Sequence, residues 1–60
     1  MTYTNEQQSQ LDALKKLLSD AEDVYAYALA RGDFDLVADA KNAVAKYRRE
    51  IGKLIKAAMR

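Results

Sequence analysis

The chain has 60 residues, with 10 basic and 9 acidic side chains and neither histidine, cysteine nor proline. This length allows one small domain, and chains of this size are marginally stable unless a disulfide, a metal or a partner supports them. The absence of cysteine excludes disulfides and thiolate metal sites, and the absence of histidine removes the commonest metal ligand and general base. Association with a partner is the remaining source of added stability.

Hydropathy and charge narrow the class of protein further. No segment approaches the roughly 18 consecutive apolar residues of a membrane span, and no apolar stretch typical of a secretory signal follows the N-terminal sequence MTYTNEQQSQ. We therefore expect a soluble, intracellular protein of the cytoplasm that has no membrane partner. The charge is unevenly distributed, since residues 1–40 have a formal charge of −5 and residues 41–60 a formal charge of +6.

The first predicted helix covers about residues 5–31. Thr4 and Gln7 match a capping box, in which the Thr4 side chain caps the helix and Gln7 reaches back to the Thr4 backbone. The residues that follow are rich in alanine, leucine, lysine and glutamate, which favour helices. The pattern continues to Arg31, a cation that suits a helix C-terminus.

A turn at residues 32–33 and a second helix over about residues 34–59 follow. Gly32 suits the left-handed position after a helix end, and Asp33 can cap the next helix. The tripeptide Arg31-Gly32-Asp33 also occurs in adhesion loops of secreted, often disulfide-bonded proteins, but a chain without cysteine favours the turn. Gly52 weakens the second helix by about 1 kcal/mol relative to alanine without having to end it.

Apolar residues of both predicted helices recur at heptad positions a and d, and this seam predicts how the helices pair. When the chain is folded at Gly32, each a residue of one helix lies opposite a d residue of the other, and larger residues tend to face smaller ones. The pairs are Leu11–Leu54, Leu14–Ile51, Leu18–Tyr47, Ala21–Val44, Tyr25–Ala40 and Ala28–Val37. The predicted fold class is all-α, an antiparallel two-helix hairpin with coiled-coil-like packing that forms a single domain.

The two sides of this hairpin differ. On the side of the e positions, Glu22 opposite Lys41 predicts a salt bridge between the helices. The other side carries apolar residues that a lone hairpin leaves exposed, and exposed contiguous apolar surface usually marks an interaction site. We call these residues the apolar flank: Leu17, Val24, Tyr27, Leu36 and Ala43. The flank predicts a homodimer in the form of a four-helix bundle, or docking of a different protein; alternatively, the hairpin twists so that these residues only thicken its own core.

A run of bases recurs every three or four residues on the second helix, along about 21 Å of its outer face. We call it the basic ridge: Lys46, Arg49, Lys53, Lys56 and Arg60. Such a ridge can follow the phosphates of RNA or DNA. It can equally be a solvated face whose cations suit a helix C-terminus, or a docking face for an acidic protein.

Metal binding and catalysis find little support in the sequence. Asp33, Asp35 and Asp39 fail the pattern of a calcium loop, because Val37 and Val44 stand where oxygen ligands are required. Helix capping and the helix dipole explain these aspartates better. Ser9 and Ser19 have no histidine to activate them, and two helices form no pocket of ordinary active-site size. We expect no enzyme, no metal, no cofactor and no small-molecule substrate.

The sequence thus predicts a small non-enzymatic protein that self-associates or binds a protein through the apolar flank, as a structural subunit or an accessory regulator or inhibitor. Nucleic-acid binding by the basic ridge is the alternative. In shape alone, the hairpin resembles the small plasmid RNA-binding hairpin dimers, and a chain of this size is typical of accessory proteins of phages and plasmids. Shape does not fix function.

Overall fold

A computed structural model describes residues 3–59, and two helices account for nearly all of them. Helix α1 spans Asn5–Arg31 and helix α2 spans Phe34–Ala58. The helices pack against each other, and residues 3–59 contain no strand. The all-helical hairpin expected from the sequence is confirmed. Helix α2 ends one residue earlier than predicted, because Met59 forms its C-terminal cap.

Helix α1 begins at the capping box that the sequence predicts. The backbone N–H of Gln7 donates a hydrogen bond of 3.1 Å to the Thr4 hydroxyl oxygen, and the Thr4 N–H donates one of 2.9 Å to Oε1 of Gln7. These two bonds satisfy donors that the first turn of a helix otherwise leaves without partners. The start of α1 is therefore fixed by local chemistry.

The chain reverses at Gly32, which adopts the left-handed conformation with φ 69° and ψ 24°. The N–H of Asp33 donates to the carbonyl of Ala28 at 3.0 Å, which closes the end of α1. The Asp33 carboxylate then accepts a hydrogen bond of 3.2 Å from the N–H of Leu36, so it caps α2. One glycine and one aspartate therefore end the first helix and start the second within two residues.

The seam between the helices is the part of the hairpin that is shielded from water. Every a and d residue that the sequence predicts is buried or half-buried. Among the described residues, four are buried: Leu11, Ala21, Ala28 and Ala40. Three alanines in this set let the two backbones approach closely, but they bury little apolar area. The hairpin thus has a narrow core along its whole length.

The molecule is a rod of 43 × 15 × 13 Å with a radius of gyration of 13.7 Å. A compact domain of 60 residues has a radius of gyration of about 10 Å. A rod keeps most side chains close to solvent, so surface features decide what this protein can do. No helix within residues 3–59 combines the length and the apolarity needed to cross a bilayer.

Alanine substitutions at the two glycines are expected to change the stability of the fold in opposite directions. In Gly32→Ala, the positive φ costs about 1 kcal/mol. This cost exceeds the stabilisation that alanine gives by lowering the conformational entropy of the unfolded chain. In Gly52→Ala, no atom beyond the adjacent residues and the local helix backbone lies within 4 Å of the added Cβ. The higher helix propensity of alanine adds up to about 1 kcal/mol of stability. Urea unfolding of both variants measures the two changes. A Gly32→Ala variant as stable as the wild type would contradict the left-handed turn.

Candidate protein-binding surface

Four residues of the apolar flank lie together along one groove between the helices. Leu17 and Val24 come from α1, and Leu36 and Ala43 come from α2. Seam residues form the floor of this groove: Ala21, Ala40 and Tyr47. The heptad pattern explains the arrangement, because g positions of antiparallel helices border the same side of the seam. The structure therefore brings most of the predicted flank into one continuous surface.

The groove is open to water. Leu17 is 44% exposed and Val24 is 40% exposed, whereas Leu36 and Ala43 are half-buried. Aliphatic side chains on a folded surface lose the favourable free energy that their burial would give, about 25 cal/mol for each Å² of apolar area. The groove is therefore lined by aliphatic side chains of the kind found in protein cores, and the single hairpin leaves them uncovered.

Two carboxylates border this groove, Asp20 on α1 and Asp39 on α2. The apolar flank predicted from the sequence includes neither residue, and there Asp39 is explained by helix capping and the helix dipole. The sequence contains a signal for this position, because both residues occupy heptad position c, which adjoins the g positions of the flank. The structure shows that Asp33 is the capping residue, whereas Asp39 lies at the edge of the groove.

Tyr27, the fifth residue of the apolar flank, lies outside the lining of the groove. Its hydroxyl accepts a hydrogen bond of 3.1 Å from Nη1 of Arg31. The Arg31 guanidinium carbon also lies 5.4 Å from the centre of the Tyr27 ring, which is the range of a cation–π interaction. Tyr27 is thus oriented by a residue of its own helix, close to the turn.

On the opposite side of the hairpin, Glu22 pairs with Arg48 instead of Lys41. The distance from Nη2 of Arg48 to Oε2 of Glu22 is 3.3 Å. Helical side chains tilt toward the N-terminus of their own helix. In antiparallel helices this tilt turns Glu22 and Arg48 toward each other and Lys41 away. Both side chains are exposed, so the pair contributes at most about 1 kcal/mol.

Two large apolar residues beside the turn are exposed outside the apolar flank. Phe34 is 77% exposed and Leu29 is 51% exposed. The structure leaves Phe34 largely in water. The first position of α2 points this side chain away from the seam, on the side that also carries Glu22 and Arg48.

The basic ridge is exposed on α2 wherever the structure describes it. Lys46, Arg49, Lys53 and Lys56 all face solvent, and Arg60 lies outside the described residues. Nζ of Lys53 is 3.5 Å from Oε1 of Glu50, an exposed pair one helical turn apart. This neighbour neutralises part of the ridge. Within residues 3–59, the exposed aromatic rings of Tyr27 and Phe34 lie near the turn, away from these bases.

The acidic residues do not assemble into a metal site in the described part of the chain, where no group of three or more ligating side chains has suitable geometry. Comparison with known proteins adds no assignment: no family model, no curated protein and no solved structure matches the chain. The surface of the hairpin is therefore the basis on which its function can be inferred.

Proposed function

We propose that this protein is a small non-enzymatic interaction protein whose apolar flank binds a second copy of the chain, so that two hairpins form a four-helix bundle. Such a bundle serves as a structural subunit or as an accessory regulator that occludes a target. The observation that carries the proposal is the open groove lined by Leu17, Val24, Leu36 and Ala43. A second copy over this groove would bury these side chains as in a protein core.

The exposed area of the single chain supports this proposal. The hairpin exposes 4663 Å², whereas a folded monomer of this size exposes about 3950 Å². The excess of about 700 Å² is close to the roughly 800 Å² that each partner buries in a stable protein interface. A second copy on the groove would therefore bring the exposed area of each chain near that of an ordinary folded protein.

The small core supports it as well. Leu11 is the only large side chain among the four buried residues of the described chain, and the others are alanines. Chains of this length rarely obtain more than about 3–5 kcal/mol from one core. Burial of the groove residues in a dimer would add apolar area that the single hairpin lacks.

Thermal unfolding at several protein concentrations tests the proposal. If two folded chains unfold to two free chains, the midpoint rises with concentration, by about 6 °C for each tenfold increase at the unfolding enthalpy expected for 120 residues. Circular dichroism measures this shift. A fully helical protein whose midpoint stays constant over a hundredfold range of concentration would contradict self-association.

Two alternatives from the sequence stay as predictions. The flank could receive a different protein, in which case the chain alone would remain monomeric. The basic ridge could bind RNA or DNA, but its partial neutralisation by Glu50 and the lack of a neighbouring exposed aromatic ring within residues 3–59 give that function no added support. We place self-association first because symmetric homodimers are the commonest oligomers.

A further inference from the structure

The two halves of the hairpin carry opposite charge. The half that contains the turn, residues 20–45, has six carboxylates against Arg31 and Lys41, which is a formal charge of −4. The remaining residues have a formal charge of +5, and α2 supplies most of their bases. Two hairpins with their turns at the same end would place like charges together. Hairpins that run in opposite directions place each acidic half beside a basic half, within the roughly 8 Å over which charges interact in physiological salt.

The edge of the groove carries the same pattern at close range. Asp39 and Lys46 occupy successive c positions of α2, about 10 Å apart along the helix, and the small Ala43 lies between them on the flank. Within residues 3–59, neither side chain takes part in an ion pair. If a second copy of this surface is turned end to end, its base lies beside the acid of the first copy, and its acid lies beside the base of the first copy.

Given the self-association proposed above, we infer that the second copy covers the groove in the opposite direction, with α1 against the α1 of the other chain and α2 against its α2. The two-fold axis then crosses α2 near Ala43, perpendicular to the helices. Asp39 of each chain lies beside Lys46 of the other, and the two ion pairs are equivalent by symmetry. Leu17 of each chain lies over the turn half of the opposite groove, where Leu36 is half-buried.

The other symmetric arrangement, with both turns at the same end, has different neighbours. It packs α1 of each chain against α2 of the other, so Lys46 lies at the level of Asp20 in the second chain, and Asp39 faces α1. The acidic turn halves then adjoin each other. Complementary charge across an interface fixes orientation more than it adds affinity, so substitutions at positions 39 and 46 distinguish the two arrangements.

Two single variants and their mixture test the inference. In the opposed dimer, Asp39→Lys places a lysine beside Lys46 at both ends, and Lys46→Asp places an aspartate beside Asp39. We expect each variant alone to self-associate about tenfold more weakly than the wild type. An equimolar mixture restores both attractive pairs, so the mixed dimer should far exceed the statistical half of all dimers in native mass spectrometry.

Arg49→Asp is the matched control, because it makes the same change of charge on the outer face of α2, away from the groove. We expect it to leave association unchanged, and circular dichroism checks that every variant stays helical. If the wild type dimerises but the mixture shows no preference for the mixed dimer, the opposed direction is wrong and self-association stands. If the wild type does not dimerise, both the direction and the proposed self-association are wrong.

Discussion

Val24→Asp is expected to abolish self-association while leaving the helices folded. Val24 is 40% exposed on the single hairpin, so a carboxylate there costs little as long as the chain is monomeric. In the proposed bundle the same carboxylate would be buried without a partner, which costs several kcal/mol. We expect the dissociation constant to rise at least about a hundredfold. Size-exclusion chromatography with light scattering measures the change, and Leu36→Asp should reproduce it from the other helix.

Phe34→Asp is the control for this prediction. It removes a larger and more exposed apolar side chain, 77% exposed, from a position outside the flank. An acidic residue also suits the first turn of α2, so the fold should tolerate it. We expect Phe34→Asp to associate like the wild type. If it dissociated the protein as strongly as Val24→Asp does, the turn would be the interface, and an unchanged Val24→Asp would exclude the groove.

Ala28→Leu is expected to destabilise the hairpin by about 2–3 kcal/mol, because it forces a larger side chain into a closed part of the seam. Ala28 is 0% exposed and lies one turn before the chain reversal, so neither helix can move away freely. Urea unfolding measures the loss. The loss is large for a domain whose total stability is only a few kcal/mol.

Ala26→Leu provides the comparison for this variant. Ala26 lies on the exposed face of the same helical turn, and leucine is nearly as good a helix former as alanine. We expect its free energy of unfolding to stay within about 0.5 kcal/mol of the wild type. Equal stability of Ala28→Leu and Ala26→Leu would mean that the helices do not approach closely at the turn.

The helix ends and the seam were predictable because their causes are local or periodic. The capping box at Thr4, the left-handed Gly32 and the cap at Asp33 depend on residues within three positions of each other. The a and d residues form six pairs across the seam, and one register satisfies all of them. Few alternative folds are compatible with that pattern.

The features that sequence reasoning missed depend on the direction of side chains. Heptad positions place Glu22 near Lys41, but the tilt of side chains along each helix selects Arg48. Tyr27 shares the flank by position, yet its ring and hydroxyl are engaged by Arg31. Asp39 is the exception, because its place at the edge of the groove follows from the heptad pattern once the g and c positions are considered as one surface.

In the proposed bundle, a second copy of the chain covers the groove. Sedimentation velocity of the wild type at micromolar concentrations measures this most directly. We predict a single helical species with the mass of two chains, which dissociates in the Val24→Asp variant and persists in Phe34→Asp. A stably folded species with the mass of one chain across this range of concentrations would contradict it.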